Sequence, residues 1–293
     1  MIVHLNGAWL PADEARVSVL DRGFIFGDGI YELVPVYAGR AFRLDEHLAR
    51  LRNSLAEIRL DQAAHLCDWH AVVAGLIERN GGGDLSVYLQ VTRGPARRDH
   101  AFPAHVKPTI FGMATPLVTP SPELVESGVA AITAVDYRWL RCNIKAISLL
   151  ANVLLRQSAV DAGAAECILL RDGYLTEGAA SNIFVVVDDL LLTPPKDHLI
   201  LPGITYDLVL ELARANGVPH EVREVSEGEL RAAGEVIMTS SSREVLSVTS
   251  LDGMPVGNGR PGPVSRRLLG LYREFRTAFA HGGTGTPRSG TPS

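Results

Sequence analysis

Leu140-Arg141-Cys142-Asn143-Ile144-Lys145-Ala146-Ile147-Ser148-Leu149-Leu150 sets a single lysine among apolar neighbours. Arginine is plentiful in the chain, but there are only three lysines, Lys107, Lys145 and Lys196. Lys107 precedes Pro108, and Lys196 follows Pro194-Pro195, so both read as exposed loop. Lys145 alone has the surroundings of a reactive amine. Burial disfavours the ammonium form, which makes a buried lysine available as a nucleophile or a base. A lysine that snorkels its charge to solvent fits the same local pattern, so the choice falls to the rest of the chain.

With 293 residues the chain exceeds the usual size of one core. Two domains are expected: residues 1–115, a linker over 116–123 that holds Pro116, Pro120 and Pro122, and residues 124–280. The tail 281–293, rich in Gly, Thr, Ser and Pro, is expected to be disordered. A net charge of −5 argues against nucleic acid and anionic membranes. No apolar run approaches the ~20 residues of a membrane span. Met1-Ile2-Val3-His4-Leu5-Asn6-Gly7 lacks the basic-then-apolar design of a signal peptide, which suggests a cytoplasmic protein. Cys67, Cys142 and Cys167 fit neither a disulfide framework nor a metal site.

Asn6-Gly7, Ala38-Gly39, Asp172-Gly173 and Asp252-Gly253 predict four hairpins. The clearest strand is residues 85–92, where Leu85, Val87, Leu89 and Val91 alternate with polar residues; others are expected over 109–114 and 129–135. Helical spacing predicts a helix near Asp45 that buries Leu48, Leu51, Leu55 and Ile58, and a second over 63–79. A third, over about 148–162, is predicted to bury Leu149, Leu150, Val153 and Leu154. Two more are predicted over 205–215 and 264–279. Strands and helices intermingle, a mixed α/β (α+β) class.

Three groups resemble parts of a site. Leu201-Pro202-Gly203-Ile204-Thr205 opens a helix, where free N–H groups and a hydroxyl suit a phosphate. Thr239-Ser240-Ser241-Ser242 is a hydroxyl cluster beside the strand Val236-Ile237-Met238. Arg98 and His100 share the loop after residues 85–92 and suit a carboxylate. Each has an ordinary reading: a helix start, a solvated turn, a wet loop. Glu177 decides between them. It ends the strand leading out of Asp172-Gly173, and a pyridine cofactor needs an acid at its ring nitrogen. A lysine, a carboxylate and two phosphate-suited segments together point to pyridoxal 5′-phosphate.

Over about residues 1–279 the chain resembles the class IV, fold type IV pyridoxal phosphate aminotransferases, and within them it is most similar to D-amino acid transaminases. The motifs are Asp21-Arg22-Gly23-Phe24-Ile25-Phe26-Gly27-Asp28-Gly29-Ile30-Tyr31-Glu32, Glu46-His47-Leu48-Ala49-Arg50-Leu51, Arg141-Cys142-Asn143-Ile144-Lys145, Thr176-Glu177-Gly178 with Ser181-Asn182, and Leu201-Pro202-Gly203-Ile204-Thr205. The resemblance implies a two-domain fold in which Lys145 carries the cofactor as a Schiff base and Glu177 pairs with its ring nitrogen. Leu201 would support the ring. Arg50, Gly203, Ile204, Thr205, Ser240 and Ser241 would hold the phosphate. Tyr31, Arg98 and His100 match a trap for the substrate's α-carboxylate whose loop reaches in from a partner subunit, which implies a homodimer. Ala179, Ala180, Asn143 and Ser241 depart from the usual residues, modestly altering cofactor contacts and pocket polarity. No metal is implied.

The expected reaction is amino transfer in two half-reactions between a D-amino acid, such as D-alanine or D-glutamate, and 2-oxoglutarate or pyruvate. An L-branched-chain transaminase, an aminodeoxychorismate lyase of the same fold and a non-catalytic cofactor-binding protein remain alternatives. The Arg98/His100 pair argues against the first, and retention of Lys145 and Glu177 against the last.

Overall fold

The computed structural model describes residues 1–105 and 107–283. They fall into two compact units. The first comprises Met1–Val118 together with Ile144–Leu149, and the second Thr119–Asn143 together with the chain from Leu150. The expected second domain ran unbroken through Lys145. Instead, the lysine segment returns to the first unit.

In the first unit, described strands β1 (Ile2–Leu5), β2 (Ala8–Pro11), β3 (Gly29–Tyr37), β4 (Arg40–Ala41), β5 (Leu85–Thr92) and β6 (Thr109–Pro116) form one antiparallel sheet in the order β2-β1-β6-β5-β3-β4. Asn6-Gly7 and Ala38-Gly39 turn two of its hairpins with positive φ at both residues, which suits the right-handed twist of the strands. Helix α1 (Arg22–Phe26) precedes β3; α2 (Leu44–Glu57) and α3 (Trp69–Arg79) pack on the sheet. Leu48, Leu51 and Leu55 of α2 are buried as predicted, in a core shared with Ile30, Val34 and Leu89.

The predicted second helix is shorter than its apolar spacing implied. A 3₁₀ turn covers Asp61–His65, and α3 begins only after Asp68, whose side chain accepts from the N–H groups of His70 and Ala71. An aspartate cap satisfies two N–H groups left without helical partners and so favours a start at that point.

In the second unit, helix α4 (Pro122–Ser127) leads into strand β7 (Val129–Val135), and α5 (Leu150–Asp161) into the strands β8 (Glu166–Arg171), β9 (Tyr174–Gly178), β10 (Asn182–Val187) and β11 (Leu190–Thr193). Helix α6 (Ile204–Ala215), strand β12 (His220–Val222), helix α7 (Glu227–Ala232), strands β13 (Glu235–Ser240), β14 (Glu244–Leu251) and β15 (Met254–Pro255), and helix α8 (Pro263–Ala280) complete it. The described strands run β12-β11-β10-β13-β14-β7-β8-β9, with β15 on β14. Parallel pairs (β7 with β8 and with β14, β11 with β12) mix with antiparallel ones. Asp172-Gly173 and Asp252-Gly253 turn hairpins as predicted.

The predicted burial of α5 is corrected. The helix packs on β8 and buries Leu155 and Ala159. Leu150, Val153 and Leu154, expected inside, are 72%, 58% and 52% exposed. Periodicity marks an apolar stripe but not the surface it meets, and here two adjacent stripes competed. Residues 284–293, most of the tail expected to be disordered, lie outside the described residues.

Candidate active site

Lys145 is held by β3. Its carbonyl accepts from the Tyr31 N–H at 2.9 Å, Ala146 bridges to Ile30, and the Ile147 N–H donates to the Gly29 carbonyl. On the other side its own N–H donates to Ser54 Oγ of α2. Ile144 and Ala146 plug the core of the first unit, which leaves the Lys145 side chain half-buried rather than fully dry. Its Nζ stands 4.2 Å from the centre of the Tyr31 ring, which stacks in turn on Tyr88. The other lysines are exposed, and Lys196 pairs with Asp207.

Also in the first unit, Arg50 is buried on α2, and its guanidinium straddles Glu32 of β3 with Nε on Oε1 at 2.8 Å and Nη2 on Oε2 at 2.9 Å. His47 Nδ1 meets the same Oε2. Burial alone would raise the Glu32 carboxyl, but the Arg50 guanidinium and His47 outweigh it and hold it well below the usual carboxylate range. Burial lowers His47 in spite of Glu32. Glu32 thus fixes the fork of Arg50, the expected phosphate ligand. Glu32→Gln is expected to destabilise the protein by about 3–5 kcal/mol, because it leaves a buried cation without its counter-charge. The depressed carboxyl adds stability above its unfolded value, and that part is lost as pH falls into the acid range. Urea midpoints of both proteins at pH 7 and pH 4 measure this; the gap should narrow at the lower pH.

Arg98 and His100 are exposed on the β5–β6 loop. The loop brings them together on one ring: the Arg98 guanidinium carbon lies 5.6 Å from the centre of Phe26, and the His100 ring 5.3 Å from it.

In the second unit Glu177 is buried near the end of β9 in a cage whose members lie far apart in sequence. Arg138 Nη1 donates to its Oε1 at 2.5 Å, and Asn182 Nδ2 and the Leu201 N–H donate to its Oε2 at 3.1 and 3.0 Å. Arg138 is held by Asp136, which also accepts from Thr176 Oγ1 and pairs with Arg171. Burial pushes the Glu177 carboxyl up to about 7 against the pull of Arg138 and the Leu201 N–H, while its carboxylate partners raise Arg138. The only sequence trace of this cage was Asp136 and Arg138 two residues apart beyond β7, a spacing that puts both on one side of extended backbone.

Asn182 Nδ2 also donates to the Leu201 carbonyl, which ties Glu177 to the start of α6. There Gly203 is the N-cap and offers no side-chain acceptor, so no side chain caps the first N–H groups of the helix. A Cβ at Gly203 would stand 2.0 Å from Asn182 Oδ1, so the close approach requires glycine. Thr205 is buried and Leu201 half-buried. Ser240 ends β13 and caps the Arg243 N–H, and Ser241 is half-buried in the turn that follows. Thr239 pairs with Asn182 across β10 and β13, which puts both side chains on one face of the sheet. Its buried Oγ1 has no partner among the described residues.

The amino-transferase class IV family matches residues 29–251. The chain belongs to the class IV aminotransferases. A D-alanine aminotransferase from Bacillus licheniformis is 43% identical over 92% of this chain and 94% of its own length. Another from Staphylococcus haemolyticus is 40% identical over 93% and 97%. Among solved structures, a T.th. branched-chain amino acid aminotransferase with pyridoxamine 5′-phosphate is 27% identical, covers 94% of each chain and superposes with a TM-score of 0.85.

Class IV aminotransferases use pyridoxal 5′-phosphate, and the residues of this one fit it. The uncapped N-terminus of α6 and the orphaned Thr239 hydroxyl are donors that lack an acceptor, as a phosphate would supply. Glu177 is a buried acid held by fixed donors, the chemistry a pyridine nitrogen requires.

Proposed function

We propose that this class IV aminotransferase moves the amino group of a D-amino acid, such as D-alanine or D-glutamate, to a 2-oxo acid, 2-oxoglutarate or pyruvate. We further propose that it acts in the cytoplasm as a homodimer. The observation that carries the D-amino acid reading is the meeting of Arg98 and His100 on the Phe26 ring, a fork and a second donor aimed from one exposed loop. The D-alanine aminotransferases at 40–43% identity support it. For the homodimer, support comes from the exposed Leu150, Val153 and Leu154, a contiguous apolar stripe of the kind that marks an interface. All three cysteines are free, which suits a reducing compartment.

Pyridoxal phosphate, when bound, withdraws electrons from the substrate's α-carbon and stores the amino group between half-reactions. In the first unit Lys145 Nζ would hold the group through its aldehyde and, once free, would serve as the base that moves the proton of the substrate's α-carbon. Arg50 contributes a fixed cation for the phosphate. In the second unit Glu177 would keep a proton at the ring nitrogen, Leu201 would support the ring, and Gly203, Ile204, Thr205, Ser240 and Ser241 would furnish phosphate donors. Tyr31, Arg98 and His100 grip the α-carboxylate and so fix which face of the α-carbon meets the lysine.

The test is a single-turnover half-reaction of the holoenzyme with D-alanine, D-glutamate and L-leucine in separate mixtures, followed by cofactor absorbance and oxo-acid release. Rapid conversion of a D-substrate is expected; a preference for L-leucine would remove the D-assignment. Arg98→Ala should raise KM for D-alanine by about 10–100-fold, the worth of a hydrogen bond between charged groups. An unchanged KM would end the carboxylate role.

A further inference from the structure

The Arg98/His100 loop does not shape itself; a buried arginine of α1 shapes it. Arg22, only 3% exposed, donates Nη1 to the carbonyls of Asp99 and Ala101 and Nη2 to that of His100. One guanidinium therefore binds three consecutive carbonyls around the residue read as a substrate donor. Its Nε is held by Asp28 Oδ2 at 2.7 Å, and the same oxygen accepts from Arg93 Nε at 2.8 Å. Arg93 in turn lies 3.7 Å over the Phe102 ring and donates to the Ile58 carbonyl, which anchors the far end of the loop to the body of the unit. At the base, Gly94 at φ 92° lets the Lys107 carbonyl approach to where a Cβ would stand 2.0 Å from it. The Arg22 guanidinium also lies 4.9 Å from the Phe26 ring, the surface on which Arg98 and His100 meet.

We infer that Arg22 and Phe26 are positioning residues for the substrate's α-carboxylate, Arg22 by fixing the backbone of residues 99–101 and Phe26 by seating the two side chains. The inference rests on the reading of Arg98 and His100 as the carboxylate grip. Loops that carry binding groups are ordinarily mobile, and ordering such a loop before substrate arrives removes an entropy cost from each binding event. Three carbonyls bound to one buried cation do that: each would otherwise turn to water, and the cation is already desolvated and paired. Lysine at position 22 would keep the charge but lose the planar fork that reaches three acceptors and Asp28 together.

The experiment compares Arg22→Lys, Phe26→Leu and Arg98→Ala as holoenzymes, each assayed with D-alanine for KM and kcat, with cofactor loading and thermal midpoint as controls. Arg22→Lys and Phe26→Leu are each expected to raise KM about tenfold with kcat changed less than about threefold, since a displaced grip weakens binding more than chemistry. Trypsin should also cut after Arg97 or Arg98 faster in Arg22→Lys than in the parent. If Arg98→Ala raises KM and neither of the other two does, the positioning role is overturned while the carboxylate grip stands. If Arg98→Ala leaves KM unchanged, the grip itself fails and the inference fails with it. Equal falls in kcat and thermal midpoint at constant KM assign Arg22 a structural role alone and overturn the inference. Phe26→Leu, which leaves the Arg22–Asp28 pair intact, decides the matter where Arg22→Lys does not fold.

Discussion

Lys145→Ala is expected to lower turnover with any amino donor by on the order of 10⁴-fold or more, a loss at the upper end of what one general base contributes, because in the proposed mechanism the same nitrogen also carries the cofactor. The fold should survive. The bonds that fix this position run through backbone, from the Tyr31 N–H to the Lys145 carbonyl and from the Lys145 N–H to Ser54 Oγ, and alanine keeps both. The flanking Ile144 and Ala146 continue to fill the core of the first unit. A thermal midpoint near that of the parent combined with lost turnover is therefore the expected pair of results, and a small primary amine added to the variant should restore part of the rate. In the parent, borohydride reduction and tryptic mapping should put the label on residues 142–156, because trypsin cuts after Arg141 and Arg156 but not at a modified lysine. A label on any other peptide, or a variant that turns over at more than a hundredth of the parental rate, would remove Lys145 from the chemistry.

How much of this was legible in the chain depended on the range of the interaction. The Asn-Gly, Ala-Gly and Asp-Gly hairpins were readable because their backbone takes positive φ at both turn residues, a demand met within two positions. The alternation in β5 and the stripe of α2 were readable for the same local reason. The start of α3 was misplaced although its signal was present, an aspartate directly before the helix. The buried face of α5 was not legible. Leu150, Val153 and Leu154 are as apolar as Leu155 and Ala159, and only the sheet decides which face it covers.

The site divides along the same line. Lys145, Glu177, Arg98 and the α6 start stand out by residue type and neighbours. Their fixings do not, since Glu32 on Arg50, Arg138 on Glu177 and Arg22 on residues 99–101 each pair positions 18 or more apart in sequence. No local pattern encodes such pairs, and buried charges reveal themselves only once the fold supplies the partner.

Glu177→Gln is expected to lower turnover by about 10²–10³-fold, the size of the loss when one preorganised electrostatic partner is removed from a reaction centre, with the cofactor retained. Glutamine keeps the shape but cannot stabilise a proton on a ring nitrogen, so the electron withdrawal that acidifies the substrate's α-carbon weakens. The start of α6, proposed as the phosphate site, is untouched, which separates loss of rate from loss of cofactor. The apoprotein gives an independent readout. Burial puts the Glu177 carboxyl at about 7, above its unfolded value, so the folded state binds this proton more tightly than the unfolded state does. Its favourable contribution is complete below about pH 4.3 and is lost as pH rises through 7, where a charged carboxylate must stay in a site that water does not reach. Glutamine has no such dependence. The difference in thermal midpoint between parent and Glu177→Gln apoproteins should therefore shift in favour of the variant between pH 5 and pH 8. A difference constant over that interval would mean that Glu177 is ionised throughout, held down by Arg138, and the balance between burial and that guanidinium would have to be read the other way.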